Sequence, residues 1–485
     1  MITSVAGGET FPQRSRRWLP EALSPARVVH QPTDRPTDDI GAEHGSRSTG
    51  QRRRSVFGTS DVSALRITEI IRHTLHVPFV DRVKPWNALL VGQWAVVEVI
   101  EVRTDDRDIT GWGESVPAYT SDRVDESWMG ALIGQNAVEH LWNPAVGMGM
   151  QMALADIAGK ALEVPLARLL HLPQVRTTVP IAWWNTKMPP EVLAAEAQDA
   201  VLHGYRAHKF KARPWIDPIA QVEAISAVTP EDYRLDIDWN RMLLDRPTAL
   251  RLLRRLDTYS KVGIFESPLA RGQFAEYRTL REQLQHPIAE HFDEGPFGLS
   301  AVEGSYDGYV FSPNTQGNGL GSLLRQGILA EAFAKSGWIQ LVGCGLTTAF
   351  ALQVASVLPA ARWPMVTAMN NYTDDLITEQ ITITAGQAVV PAGIGLGVTV
   401  DRDALERYRV PFGHQIEYPR TILTMTLPGG WARQYVSIEQ MWRDCQVNGA
   451  VPLTGEGASL SIRQDDRSAQ FEAEYSAIQQ EPRWT

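Results

Sequence analysis

The chain has 485 residues, which is enough for two or three folding units. Apolar residues make up 44% and charged residues 21%, a balance that excludes a coiled coil, a collagen-like chain and a wholly disordered protein. No apolar run reaches the roughly 18 residues of a membrane span, and a net charge of −10 disfavours binding to nucleic acid or anionic lipid. The two cysteines are too few for a disulfide framework or a zinc ribbon, so we expect a cytoplasmic protein.

The first segment, residues 1–62, is predicted to be a disordered, basic extension. Its first sixty residues hold nine Arg against six Asp and Glu and show little apolar periodicity, so it cannot bury enough surface to offset its ordering entropy. Residues 63–172 are predicted to form an α+β domain. In it, "LRITEIIRHTLHVPF" and "WAVVEVIEVRTDDRDITGWGESVP" alternate apolar and polar residues as antiparallel strands do, and a helix follows that ends near His171.

Residues 173–370 show the most informative regularity of the chain. Short runs of β-forming residues recur about every 26 residues, with amphipathic helical stretches between them. The runs lie near Ile181, Ala207, Asp236, Ile264, Ile288, Val310, Gln340 and Val366. An open doubly wound sheet would also alternate in this way, but eight even repeats favour closure. The predicted fold is therefore a TIM-like parallel (β/α) barrel of the α/β class.

Two segments follow the predicted barrel. Residues 371–412 include "DLITEQITITAGQAVVPAGIGLGV", which is predicted to form a strand pair that caps the barrel and returns to the first domain. Residues 413–485 carry some strand signal and then become polar, so they are predicted to be a C-terminal extension that ends in a polar tail. The sequence assigns this extension no function.

Working residues of a parallel barrel lie at the carboxyl ends of its strands, pointing inward. The second strand reads "YRAHKFKARP", in which Lys209 and Lys211 are two residues apart and so lie on one face of the strand, opposite Phe210. The third strand reads "YRLDIDWN" and presents Asp236 and Asp238 on its inner face. Two lysines followed by carboxylates on the next strand are an unusual choice for a buried core, because such charges need partners.

The fourth strand, "VGIFESP", ends an apolar run at Glu266. Together with Asp238 it places carboxylates at the ends of two consecutive strands. Hard divalent cations such as Mg²⁺ prefer carboxylate oxygen, so this pair predicts a metal site.

The order "KFK", "DIDWN" and "FESP" resembles the mandelate racemase and muconate-lactonising branch of the enolase superfamily. The resemblance extends from Leu65 to Val410. "MALADIAGKALEVPLARLLH" is similar to the helix that leads into the barrel in that family, and the two strands before it are similar to the family's capping domain, with "GWGES" beside a substrate loop.

The resemblance implies Mg²⁺-assisted removal of the proton α to a carboxylate. Lys209 and Lys211 match the family's Lys-x-Lys motif, one acting as the base and the other stabilising the intermediate, and the sequence leaves open which does which. Asp238 and Glu266 match the first two metal ligands, and residues 63–172 match the capping domain.

The fifth strand departs from the family pattern, which has an acidic ligand there. In "HPIAEHFDEG", alternation from Ile288 places His291 inward and Glu290 outward, so His291 is the predicted third ligand. Imidazole is a softer donor than carboxylate, which predicts a weaker Mg²⁺ site or one that prefers Mn²⁺. Glu290, Asp293 or Glu294 reaching in from the loop is the alternative.

The remaining strands offer amides in place of the family's bases. The sixth lacks the lysine of the lactonising enzymes, and the seventh has Gln340 where the racemases have a histidine. The predicted substrate-binding residues are Asn240, Asn314, Gln340 and Asn371. This polar lining suits a polyhydroxylated small-molecule carboxylate.

We therefore expect an enolase-superfamily lyase that dehydrates a sugar acid or related hydroxy acid. Racemisation needs a second acid on the opposite face of the intermediate, whereas a leaving hydroxyl can take its proton from the same lysine pair. A racemase, epimerase or cycloisomerase is the alternative, with Asp374 or Asp375 as the second acid. A non-catalytic barrel homologue is a further alternative, and we expect a homo-oligomer.

Overall fold

The computed structural model describes residues 65–106, 108–120, 123–293, 296–313 and 319–485. The predicted disordered extension at residues 1–62 lies outside the described residues, as do Glu294 and Asn314. Within these ranges, no helix combines the length and apolarity that crossing a bilayer requires.

The first unit is a three-stranded antiparallel sheet in the order β1-β2-β3 with helices packed on it. Its strands are β1 (Ile67–His76), β2 (Val96–Thr104) and β3 (Thr110–Ser115). Its helices are α1 (Lys84–Ala88), α2 (Pro117–Thr120), α3 (Glu126–Leu132), α4 (Met148–Ala161) and α5 (Leu166–Leu169), with 3-10 turns at Gly92–Ala95, Val138–His140 and Pro144–Val146.

Helix α4 packs directly on β3, and glycines make this possible. A side chain at Gly111 or Gly113 would collide with the backbone carbonyl oxygens of Ala153 or Gly149. Asp156 of the same helix accepts hydrogen bonds from the backbone N–H of Trp112 and from Lys160 Nζ, at 3.1 and 2.7 Å. The "GWG" sequence of β3 and the "DIAGK" sequence of α4 therefore form the two surfaces of one helix–sheet contact.

The second unit contains a sheet of seven parallel strands in chain order. They are β5 (Trp183–Trp184), β6 (Ala207–Lys211), β7 (Arg234–Asp238), β8 (Val262–Glu266), β9 (Ile288–His291), β10 (Gly308–Phe311) and β11 (Ser336–Ile339), preceded by a short β4 (Thr178–Pro180). The helices between and after them are α6 (Pro190–Leu202), α7 (Pro218–Val228), α8 (Arg246–Leu256), α9 (Phe274–Arg281), α10 (Phe297–Val302), α11 (Gly319–Ala332) and α12 (Gly345–Ser356).

Residues 365–366 close this sheet into a barrel. Met365 pairs in parallel with Ile181 just before β5, and Val366 pairs in parallel with Gln340 just after β11. The backbone N–H of Ala182 donates to Met365 O, and that of Leu341 donates to Val366 O, both at 2.9 Å. The eighth strand of the barrel is thus reduced to a two-residue contact, and the fold is an α/β barrel.

The segment after the barrel contacts both the barrel and the first unit. Its strands β12 (Ile383–Thr384) and β13 (Gln387–Val389) form a hairpin, and β13 pairs antiparallel with β4 at the entry to the barrel. The same segment contacts the first unit outside the hairpin, where Tyr372 pairs with Phe79 and Gly395 pairs with Pro165. Beyond α13 (Arg402–Arg407), Arg409 pairs with Leu75 at the end of β1.

Residues 421–485 fold into a C-terminal module. A four-stranded antiparallel sheet in the order β16-β14-β15-β17 is flanked by two helices. The elements are β14 (Thr421–Thr426), β15 (Ala432–Tyr435), α14 (Ile438–Gln446), β16 (Ser459–Gln464), α15 (Ala469–Gln480) and β17 (Arg483–Trp484). The polar end of the chain is part of this module, because Phe471 and Ile478 lie seven residues apart on one face of α15 and are buried with Ile422.

Candidate active site

The candidate active site is a cavity of about 320 Å³ at the carboxyl ends of the barrel strands. Four consecutive strands, β6 to β9, end on the charged or ionisable residues that the sequence singled out. In the register of the sheet, Lys211 lies beside Asp238, and Asp238 lies beside Glu266. The cavity walls include Trp94, Tyr119, Lys211, Asn240, His291 and Gln340.

Lys209 lies in the barrel interior, with no exposed side-chain surface. Its ammonium group forms an ion pair with Glu266 and donates to Gln340 Oε1 at 2.6 Å. It also lies 3.8 Å from Asp236 and 3.7 Å from Asp238. Burial opposes the charge of Lys209, but these carboxylates outweigh burial and raise its pKa. Lys209 is therefore a charged centre that holds three acids together.

Lys211 is in a different environment, although it shares the inner face of β6. Its side chain is 12% exposed, lines the cavity and forms an ion pair with Asp238. Burial lowers the pKa of Lys211, and the positive charge of Lys209 adds to that effect, whereas Asp238 opposes it. Phe210, between the two lysines, is fully buried on the opposite face. Of the two ammonium groups, only that of Lys211 borders the cavity.

The two predicted carboxylate ligands are both fully buried. Within the described residues, Glu266 Oε1 has no hydrogen-bond partner, and it lies 3.4 Å from His291 Nε2. Asp238 accepts a 2.8 Å hydrogen bond from the backbone N–H of Asn240, and the cations Lys211, Lys209 and Arg213 together lower its pKa against the effect of burial.

This donor set fits a divalent cation in part. Two carboxylates, one with an unpartnered oxygen, and an imidazole nitrogen are ligands that Mg²⁺ or Mn²⁺ accept. Among the residues that the structure describes, however, no three His, Cys, Asp or Glu side chains are grouped as a preformed metal site. In this structure Lys209 and Lys211 form ion pairs with the carboxylates of Glu266 and Asp238.

Glu290, the alternative third ligand, points away from Asp238 and Glu266. Its carboxylate is buried on the outer side of the barrel, where it accepts from Ser267 Oγ at 2.9 Å and pairs with Arg241 at 3.2 Å. Arg241 and other nearby cations lower its pKa against the effect of burial. In this arrangement His291, not Glu290, borders the cavity.

The predicted substrate-binding residues divide into two groups. Asn240 and Gln340 line the cavity. Asn371 does not, because its amide nitrogen donates to Trp184 O at 3.0 Å and its amide oxygen accepts from Asn87 Nδ2 at 3.0 Å. These hydrogen bonds of Asn371 join the first unit to the barrel. Asn314 lies outside the described residues.

The suggested second acids also lie away from the cavity. Asp374 pairs with Arg407 at 3.2 Å and accepts from the backbone N–H of Leu376. Burial raises the pKa of Asp375 to about 6, but its side chain borders a separate cavity with Tyr205 and Asp199. Neither aspartate is placed to face Lys211 across a substrate.

Two functional candidates were missed by the sequence reasoning because they come from the first unit. Tyr119 of α2 accepts from Gln340 Nε2 at 3.5 Å, and its ring packs edge-on against Trp94 at 5.0 Å. Tyr119 follows "GWGES" by four residues, so the substrate loop implied by the family resemblance was the available signal. Glu114 of that sequence accepts backbone hydrogen bonds from Cys344 and Thr347 and so anchors β3 to the start of α12.

Comparisons with known proteins agree with this geometry. Residues 192–404 match the family described as enolase C-terminal domain-like. The chain is 27% identical over 346 residues to arabinonate dehydratase from Saccharolobus solfataricus, covering 64% of this chain and 89% of that protein. It is 26% identical over 277 residues to chloromuconate cycloisomerase from Cupriavidus necator, covering 55% and 73%.

The structure of muconate cycloisomerase from Pseudomonas fluorescens superposes with a TM-score of 0.58 at 23% identity, over 72% of this chain and all (100%) of that one. Fold, strand-end residues and relatives lead to the same assignment. Residues 192–404 match the enolase C-terminal domain-like family, and the chain is similar to enzymes of the mandelate racemase and muconate-lactonising branch of the enolase superfamily.

Proposed function

We propose that this protein is a divalent-metal-dependent lyase that removes the proton α to a carboxylate and expels water from a sugar acid or a related hydroxy acid. The observation that carries the proposal is the position of Lys211. Its ammonium group borders the cavity, close to the buried carboxylates of Asp238 and Glu266 and to His291. The similarity to arabinonate dehydratase supports the substrate class.

Lys211 is the proposed base. It reaches the cavity, and its lowered pKa makes the neutral amine, which alone can take a proton, more accessible near neutral pH. Lys209 is enclosed by Glu266, Gln340 and Asp236 and keeps its charge. We assign Lys209 the role of holding Glu266 in place and of adding positive charge beneath the site.

Asp238, Glu266 and His291 are the residues that would hold Mg²⁺ or Mn²⁺. When bound, such a cation supplies positive charge to the substrate carboxylate, which stabilises the charge that develops as the α-proton leaves. In this structure Lys211 pairs with Asp238 and Lys209 pairs with Glu266. If Asp238 bound a cation, the Lys211 amine would be free to face the substrate, whereas Lys209 would stay beside Glu266 and Asp236.

The cavity walls favour dehydration over racemisation. A racemase needs a group opposite the base that both donates and accepts the α-proton. Tyr119 is the ionisable wall residue contributed by the first unit, and burial raises its pKa, so its hydroxyl keeps its proton. Such a group donates hydrogen bonds to a departing hydroxyl but is a poor base.

Incubation with a panel of sugar acids in D₂O tests the proposal. We expect loss of the substrate's Cα proton and formation of a 2-keto-3-deoxy acid that carries deuterium at C3, both observed by NMR. Recovery of the inverted epimer alone would assign the racemase alternative and contradict dehydration. No exchange with any acid, in the presence of Mg²⁺ or Mn²⁺, would favour the non-catalytic alternative.

Replacing His291 by alanine is expected to weaken binding of Mn²⁺ by at least about tenfold, because loss of even an outer-shell partner of a metal site costs this much. His291→Asp is the matched variant. It supplies a harder oxygen donor, so the preference for Mg²⁺ over Mn²⁺ should increase. Isothermal titration with each cation measures both effects.

Glu290→Gln is the control for this series, because Glu290 points away from the cavity. Its affinity for Mn²⁺ should stay near that of the wild type. Unchanged affinity in His291→Ala, with loss in Glu290→Gln, would reverse the assignment of the third ligand.

A further inference from the structure

The C-terminal module contacts the loop that follows β6. We call residues 212–217 the β6 loop. The backbone N–H of Asp217 donates to Ala458 O at 2.8 Å, and that of Gly457 donates to Asp217 Oδ2 at 2.7 Å. The other oxygen of Asp217 caps α7 by accepting from the N–H of Ile219 at 2.8 Å. The module is therefore hydrogen-bonded to a loop that begins immediately after the proposed base.

Gly455 brings the two backbones together. Its φ of +68° is in the left-handed region, and a Cβ there would lie 2.8–3.2 Å from the carbonyl oxygens of Ile216, Arg213 and Pro214. Gly449, in the same module, has a φ of +63°, but a Cβ added to it would have no atom within 4 Å. The two glycines share backbone strain and differ in their contact with the β6 loop.

Arg213 links the β6 loop to the end of β7. Its side chain is buried, and its guanidinium group donates to Ala212 O at 2.7 Å, to Asp238 O at 3.3 Å and to Asn240 Oδ1 at 2.5 Å. Asn240 in turn donates its backbone N–H to Asp238 Oδ1 at 2.8 Å. One guanidinium group thus contacts both the backbone of Asp238 and the side chain of Asn240, which lines the cavity.

We infer that the C-terminal module holds the β6 loop so that Arg213 positions Asp238 and Asn240. Arg213 is then a positioning residue, and residues 421–485 are part of the active-site support although they lie outside the family match at residues 192–404. The inference rests on the proposed function for its catalytic consequence. The structural coupling stands independently of it.

If the module only stabilised the fold, a variant that weakens its contact with the β6 loop would lower the stability of the whole protein. It would not affect the turn after β7 selectively. A positioning module predicts a local effect that passes from Gly455 through the β6 loop to Asn240. Arg213→Lys separates these roles further, because lysine keeps the charge but lacks the planar fork that contacts Asp238 and Asn240 together.

Hydrogen–deuterium exchange of the full chain provides the main test. In Gly455→Ala, we expect the amides of Ala212 and Asn240 to exchange at least about tenfold faster than in the wild type, reflecting local opening. The matched control Gly449→Ala should leave both amides unchanged. Faster exchange at residues 216–217 but not at Asn240 would overturn the coupling.

Asp217→Asn is a second variant in case Gly455→Ala folds poorly. It keeps the oxygen that caps α7 and removes the acceptor for the N–H of Gly457. The same change in exchange at Asn240 is expected, and its absence in a folded Asp217→Asn protein would contradict the inference.

The catalytic consequence is measured with the substrate identified by the D₂O panel. Gly455→Ala and Arg213→Met should lower kcat by about ten- to a hundredfold with a smaller change in KM, because the substrate still binds while Asp238 is misplaced. Arg213→Lys should recover part of the loss. If the wild-type enzyme is active and kcat is unchanged in both Gly455→Ala and Arg213→Met, the positioning role is overturned. A wild type inactive on every acid would instead refute the proposed function and leave the amide test to decide the coupling.

Discussion

Replacing Lys211 by methionine is expected to reduce exchange of the substrate Cα proton by about 10²–10⁴-fold, the usual contribution of a general base. The reason is that Lys211 alone of the lysine pair borders the cavity. Protein stability should fall less than in the Lys209→Met variant, because Asp238 keeps Lys209 at 3.7 Å. NMR in D₂O measures the exchange, and thermal unfolding measures the stability.

Lys209→Met is the matched variant, and its signature should differ. Removing this buried ammonium group leaves Glu266, Asp236 and Asp238 with one fewer cation. Because loss of one partner of a buried ion pair costs about 3–5 kcal/mol, the free energy of unfolding should fall by about that amount. A Lys211→Met protein that exchanges the proton at the wild-type rate would refute its assignment as the base. A Lys209→Met protein of wild-type stability would show that Lys209 does not hold the three acids together.

The barrel and the lysine and acid strand ends could be predicted from sequence because both depend on local regularities. A repeat of strand and helix specifies a barrel, and alternation along a strand assigns each side chain to a face. Thus the opposed orientations of His291 and Glu290 on β9 follow from their being adjacent residues. The different environments of Lys209 and Lys211 could not be predicted in this way. Alternation assigns both side chains to the same face of β6, but it does not say how deep in the barrel each one lies.

Residues outside the strands were harder to predict because their contacts are long-range. Asn371 lies in a 3-10 turn at Met369–Asn371, where alternation no longer applies, and its partner Asn87 is 284 residues away. Tyr119 enters the cavity from the first unit, so no property of the barrel sequence indicates it. The hairpin β12–β13 pairs with β4. This pairing depends on how distant segments pack, so the local sequence of the hairpin does not predict it.

One further lysine, Lys187, has an unusual environment that the sequence did not reveal. It follows β5, and its side chain is fully buried. Its ammonium nitrogen has no hydrogen-bond partner among the residues that the structure describes. Burial lowers its pKa well below the usual value, and the positive charges of Arg213 and Lys211 add to this effect. An unpaired buried amine of this kind destabilises the fold whenever it must carry a proton.

Lys187→Met is expected to stabilise the protein, most strongly at low pH. In the wild type the unfolded chain binds a proton at Lys187 up to a pH of about 10.4, whereas the native state releases it at a lower pH. Between these two values the free energy of unfolding rises with pH by about 1.4 kcal/mol per pH unit, and below both it is constant. The stability advantage of Lys187→Met should therefore shrink as the pH is raised from 7 towards 10. Urea unfolding at several pH values measures this difference, and Lys84→Met, at an exposed position, is the control. An advantage that does not change with pH would show that Lys187 keeps its proton in the native state and has found an anionic partner there.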